Sequence, residues 1–177
     1  MNRTPSINAA SVALQAVEPG HEAFLFEVYA STRTEELAAT GWIEPQRESF
    51  LRMQFQAQHK HYRENYPGAD LQIIRVDGAP AGRLYVHRRA GEIRIMDIAL
   101  LPAFRGQGIG TGLMKGILAE GAHLEKPVTI HVEGFNPALQ WYERLGFRKV
   151  SAHGPYHLME WTAAAKSRCS EGGNPCS

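Results

Sequence analysis

Apolar residues fall along this chain in two alternating periods, and the switches between them mark out the elements. Ser11 to Val17 alternates as a first strand does, and Pro19-Gly20 breaks it. Glu22 to Arg33 then carries Phe24, Leu25, Val28 and Tyr29 at helical spacing, and Thr34 to Gly41 extends or kinks that helix. Pro45 to Glu64 reads as a longer helix, with Phe50, Met53 and Ala57 on one stripe; Pro67-Gly68 ends it. Leu71–Val76 and Ala81–His87 read as strands around an Asp77-Gly78 turn, and Ala90-Gly91 turns the chain into Glu92–Leu101. Helical spacing returns at Ile109, Leu113, Met114, Ile117 and Leu118 and runs to about Leu124. Val128–Val132 is a fifth strand, Pro137–Leu145 a short helix, and Arg148–Ser151 and Tyr156–Trp161 are the last strands.

This order predicts an α/β domain of α+β type with a mixed, largely antiparallel sheet. Alternation falters at Asp97, which shares a face with Ile93 and Ile95 and precedes the apolar run Ile98-Ala99-Leu100; a bulge there accounts for it. One domain is expected over 11–162, with a flexible terminus at 1–10 and a disordered tail at 163–177, where small and polar residues replace the pattern.

Composition narrows the function classes. The chain has 177 residues, 44% hydrophobic and 21% charged, and a formal net charge of +1. There is no basic surplus for a nucleic-acid partner. No apolar run approaches the roughly 18 residues that cross a bilayer, so no membrane association is expected. The first ten residues lack the blocks of a signal peptide, and both cysteines, Cys169 and Cys176, lie in the tail, which makes a cytoplasmic setting the expectation. His59 and His61, at i and i+2, do not share a helix face, and no metal site is expected.

The densest chemistry lies in Arg105-Gly106-Gln107-Gly108-Ile109-Gly110-Thr111-Gly112, between an apolar strand and a helix. Helix starts carry unpaired N–H groups and the positive end of the macrodipole, and glycine lets an anion approach the backbone. The loop fits neither the dinucleotide fingerprint nor the P-loop in any frame. It does fit Arg-x-x-Gly-x-Gly, and so resembles the acyl-CoA loop of the GNAT superfamily of N-acetyltransferases. A second run, Asn136-Pro137-Ala138-Leu139-Gln140-Trp141-Tyr142-Glu143-Arg144-Leu145-Gly146-Phe147, resembles that superfamily's other hallmark, although Ala138 stands two residues after Asn136 rather than three. Asn136 reads as an N-cap, Pro137 as the first helical residue and Gly146 as the left-handed C-terminal residue.

The resemblance implies helices on both faces of the sheet and a splay between the fourth and fifth strands, Glu92–Leu101 and Val128–Val132. It implies acetyl-CoA as the acyl-donor co-substrate. The pyrophosphate would rest on Gln107, Gly108, Ile109, Gly110 and Thr111, with Gly106 and Arg105 nearby. The pantetheine arm would pair with Ile98 and Leu100, and Asn136 and Tyr142 would face the cofactor. An N–H donor near Ile98 or Ala99 would hold the developing oxyanion. Tyr142, a phenol protonated at neutral pH, is the candidate acid for the departing thiolate. The candidate base stays open among Asp97, His131 and Glu133. The acceptor pocket is expected from Tyr29, Arg33, Trp42 and Tyr156, beside Glu35 and Glu36. The expected activity is acetyl transfer to a primary amine of a small molecule or amino acid by direct attack in a ternary complex. A protein or peptide acceptor, or a non-catalytic acyl-CoA-binding module, is the alternative. Whether the chain forms a homodimer is left open.

Overall fold

A computed structural model describes residues 10–38 and 40–163. The expectations for 1–9 and 164–177 lie outside the described residues. Seven strands form one open sheet in the order β1-β2-β3-β4-β5-β7-β6: β1 (Val12–Ala16), β2 (Asp70–Val76), β3 (Ala79–Arg88), β4 (Ile93–Leu100), β5 (Val128–Glu133), β6 (Arg148–His153) and β7 (Tyr156–Trp161). Every neighbouring pair is antiparallel except β4 with β5.

Helices cover both faces. On one face, α1 (Glu22–Ser31) and α3 (Glu44–Asn65) pack Leu25, Tyr29 and Phe55 against Ile73 and Tyr85. On the other, α4 (Ile109–His123) and α5 (Leu139–Arg144) pack Met114, Ile117 and Tyr142 against Ile74, Leu84, Ile93 and Ile95. The period-2 alternation of β2 and β3 therefore serves two cores at once. Among the described residues, no helix is long and apolar enough to cross a membrane.

Two element boundaries differ from the sequence reading. The first helix stops at Ser31, and Thr34–Ala38 forms a separate short helix, α2. The hydroxyls of Ser31, Thr32 and Thr34 donate back to the carbonyls of Val28, Tyr29 and Ala30 (2.8, 2.7 and 3.2 Å), which competes with helix continuation. Asn136 does not cap the short helix, and Pro137 is not its first residue. Asn136 Oδ1 accepts the N–H of Ala138 (2.9 Å) and its carbonyl accepts that of Leu139, so a turn intervenes and α5 starts at Leu139. Gly146 does take the left-handed conformation, at φ 97°.

The sheet is interrupted where alternation falters. Tyr85 pairs with Asp97 but Val86 pairs with Ile95, so Met96 is an extra residue on β4. β4 and β5 pair only over Ile93–Ile95 and Val128–Ile130. Beyond that point β4 runs on to Leu100 and β5 to Glu133 without pairing, which is the splay.

On its other edge, β4 is pressed onto β3 at Gly82, opposite Leu100. A Cβ at Gly82 would stand 2.2 Å from the Ala99 carbonyl oxygen and 2.9 Å from Leu100 Cδ2. Gly82→Ala therefore has to push β4 away, and overpacking of this kind costs about 1–3 kcal/mol. Urea unfolding is expected to show a loss of that size, whereas an unchanged midpoint would mean that β4 is not seated on Gly82.

Candidate active site

The splay joins two cavities. One, of about 990 Å³, opens on the α4–α5 side and is lined by Ile98–Leu100 of β4, by Arg105, Gly106 and Gly108–Thr111, and by Phe135–Ala138, Trp141 and Tyr142. The other, of about 570 Å³, opens on the α1–α3 side and is lined by Tyr29, His61, Tyr62, Tyr66, Arg83, Arg94, Met96, Asp97, His131, His153 and Tyr156, among others. Ile98, Ala99, Glu133, Asn136, Thr32 and Arg33 line both.

The first cavity is built from backbone. Gly106 and Gly108 have φ of 74° and 79°, a left-handed conformation that glycine adopts at little cost, and Gly108 is the residue before α4. That hands the free N–H groups at the start of α4 to the cavity. Within the helix, a Cβ at Gly110 would lie 3.6 Å from the Trp141 ring, in ordinary contact. Trp141 Nε1 donates to Thr111 Oγ1 at 3.1 Å and ties α5 to α4. Arg105 is occupied elsewhere. Its Nε donates to Leu100 O (2.8 Å) and its Nη2 to Ser31 O and Oγ (3.2 Å each), so it clasps the loop to β4 and to the end of α1. Gln107 turns away from the cavity and donates to Ala103 O at 2.8 Å.

Tyr142 is 5% exposed and lines this cavity. Burial, reinforced by the Asp97 carboxylate, pushes its phenol well above the usual tyrosine range, so the hydroxyl stays protonated at neutral pH.

The second cavity is built from side chains. Arg83, almost fully buried, pairs with Asp97 Oδ2 at 2.5 Å, donates to Gln58 Oε1 at 3.2 Å, and lies between the rings of Tyr29 and Tyr85 (5.7 and 5.5 Å). Tyr62 donates to Met96 O at the bulge (3.4 Å). Burial raises the Tyr62 phenol, and burial opposed by Arg83 still pushes Tyr85 up to about 12. Glu133, half-buried, lies 3.8 Å from Arg33 Nη1, and Arg33 also bonds Glu36 Oε2 at 2.9 Å. His131 titrates below the ordinary histidine range, from burial first and then the charge of Arg94.

The three candidate bases thus separate. Asp97 is held by Arg83, His131 stands on the α1–α3 side alone, and Glu133 borders both cavities. Tyr29, Arg33 and Tyr156 gather in the second cavity. Trp42 does not: it packs edge-on against Phe50 at 5.2 Å beside the start of α3, outside both cavities. Arg88 pairs with Glu120 and Asp70 on the far side of the sheet. Sequence reasoning missed Arg83, although a charge inside the apolar run Ala81–Val86 was a signal for it. Tyr62, Tyr66 and Arg94 carried none.

A family model described as an acetyltransferase (GNAT) domain matches residues 67–149, which include β4, the glycine loop and α5. The matched segment carries a GNAT acetyltransferase domain, and it and the fold support the GNAT superfamily. It is an acyltransferase enzyme. Its fold is similar to that of PaiA N-acetyltransferase from Thermoplasma acidophilum in complex with coenzyme A, with a TM-score of 0.65 and 17% identity over 86% of this chain and 99% of that one. It is also similar to an acetyltransferase from Thermus thermophilus (TM-score 0.63, 20% identity, 88% and 99% covered). A third similar structure is the ribosomal-protein-S18-alanine N-acetyltransferase from Escherichia coli (TM-score 0.57, 16% identity, 86% and 94% covered).

The GNAT domain's second cavity depends on the Arg83–Asp97 pair. Removing one partner of a buried ion pair strands the other charge, at a cost of about 3–5 kcal/mol. Arg83→Met is expected to lose that much stability in urea unfolding, and Arg83→Met/Asp97→Leu to recover part of it. A double-variant loss equal to the sum of the Arg83→Met and Asp97→Leu losses would show that the pair is not coupled.

Proposed function

We propose that this chain transfers an acetyl group from acetyl-CoA to a primary amine by direct attack, with both substrates bound at once. The observation that carries this reading is that two cavities, one on each side of the sheet, meet where β4 and β5 part, at Ile98, Ala99, Glu133 and Asn136.

The cavity on the α4–α5 side fits acetyl-CoA. A helix start with free N–H groups suits a pyrophosphate, and the residues to hold it are Gly108, Ile109, Gly110 and Thr111. Arg105, which lines the same cavity, also ties the loop to Leu100 and Ser31. The unpaired edge of β4 at Ile98 and Leu100 suits the amides of the pantetheine arm, as an added strand would. Acetyl-CoA, when bound, supplies an acetyl thioester open to an amine.

The chain's own groups then divide the work. A backbone N–H at Ile98 or Ala99 faces the oxygen on which negative charge grows. Glu133 removes the amine's proton, because it alone of the three candidates borders both cavities. Arg33 lies 3.8 Å from Glu133 and is itself shared with Glu36. Tyr142 gives its proton to the departing thiolate, and its raised pKa keeps that proton in place until then. A small amine is preferred to a peptide because His61 and Tyr62 of α3, and Tyr66 just after it, line the acceptor side of a half-open cavity of about 570 Å³.

Two variants test the acetyl-CoA cavity and its acid. Gly110→Val places branched atoms at the start of α4, where a single Cβ already touches Trp141. Calorimetry is expected to show acetyl-CoA affinity at least tenfold weaker, with far-UV dichroism unchanged; wild-type affinity would reject this cavity as the acetyl-CoA site.

Tyr142→Phe removes one hydroxyl and keeps the ring. Turnover on a saturating acceptor is expected to fall by roughly 10²-fold, the scale of a general acid, with acetyl-CoA binding nearly unchanged. Turnover close to wild type would exclude Tyr142 as the acid.

A further inference from the structure

The cation balance of the acceptor cavity is uneven. Arg83 has Asp97 as its counterion, and Arg33 has Glu36 and Glu133. Arg94 has no carboxylate of its own. Its Nη2 lies 3.0 Å from Glu92 Oε1, but that same oxygen also faces Arg89 Nη1 at 3.4 Å, and Glu92 Oε2 accepts the Thr129 hydroxyl at 2.7 Å. One carboxylate therefore serves two guanidiniums and a hydroxyl. Among the described residues, Arg94 Nε is buried and has no hydrogen-bond partner. A buried donor left unpaired is costly, and an arginine in that state is half of a carboxylate-binding fork.

Two imidazoles stand beside it. His131 and His153 line the cavity with Arg94, and burial first, then the charge of Arg94 against that of Glu92, pushes the His131 pKa down. A neutral imidazole still offers an N–H to an anion.

We infer that the amine acceptor carries an anionic group, a carboxylate in the first instance, which is bound by Arg94 and His131 at a distance from the reacting nitrogen. This rests on the reading of Glu133 and the strand splay as the place of acetyl transfer. The spacing follows from the sheet. Arg94 pairs with Thr129, and Glu133 is four residues farther along β5, about 13 Å at strand rise. Arg94 Nη2 meets Glu92, whose other oxygen binds Thr129, so Arg94 is tied to that end of the strands. An α-carboxylate, two bonds from its amine, cannot reach Arg94 while the nitrogen is at Glu133. The charge must sit several bonds away, as in an ω-amino acid.

The test uses the full chain, acetyl-CoA and two matched series: linear ω-amino acids of two to six carbons, and alkylamines of the same lengths. Thiol release gives kcat/KM for each. The expected result is at least a tenfold advantage for the carboxylate at one of the longer lengths and none for glycine. Arg94→Gln is expected to bring that ratio to about one by raising KM, and Arg94→Lys to restore part of it. Alkylamines matching or exceeding the ω-amino acids at every length would overturn the inference, as would an advantage that survives in Arg94→Gln.

Binding of hexanoate, followed by calorimetry, separates this claim from the catalytic one. Hexanoate binding that is lost in Arg94→Gln and kept in Arg94→Lys supports the anion site even if no amine is turned over, in which case the transfer reading fails alone. Hexanoate that binds neither the wild-type protein nor Arg94→Lys, with alkylamines turned over normally, overturns the anion site and leaves the transfer reading standing.

Discussion

A backbone that leaves its ladder must find other partners, and in this protein β4 does so in mid-sheet. It pairs with β5 for three residues and then continues alone on that edge. Three local features hold it there. Gly82 lets β3 come close to Ala99 and Leu100, Met96 is looped out as a bulge, and the Arg83–Asp97 pair fastens the residue after the bulge to β3. Each is a departure from regular sheet structure. Together they keep open a gap that ordinary β-pairing would close.

The two sides of that gap recognise ligands by different means. On the α4–α5 side, recognition falls to main-chain groups of the glycine loop and the β4 edge, which suits a donor common to many reactions. On the α1–α3 side it falls to charged and aromatic side chains, which is where a choice among amines can be made. Few residues touch both sides. Glu133 is one, and that position, more than its acidity, distinguishes it from Asp97.

Much of this was legible in the sequence because it depends on local pattern. The glycine turn before α4, the left-handed Gly146 and the break in alternation at Asp97 can all be read from neighbours in the chain. The break announced the bulge one residue from where it stands. What could not be read depends on distant partners. The bonds from Arg105 to Ser31 join residues far apart in the chain. Arg83 reads as a strand residue until Asp97 and two tyrosines enclose it. Trp42 suits an acceptor pocket by composition, yet Phe50 holds it outside. Asn136 has the right chemistry for a helix cap, and a turn through Ala138 uses it otherwise.

The central claim is that acetyl-CoA enters the gap between β4 and β5 as a missing strand. Amide hydrogen exchange of the full chain, with and without acetyl-CoA, tests it most directly. The account predicts slowed exchange at Ile98–Leu100 and at Gln107–Thr111, with little change along β1 and β2. Unaltered exchange in those two segments at saturating acetyl-CoA, or protection confined to α1 and α3, would contradict it.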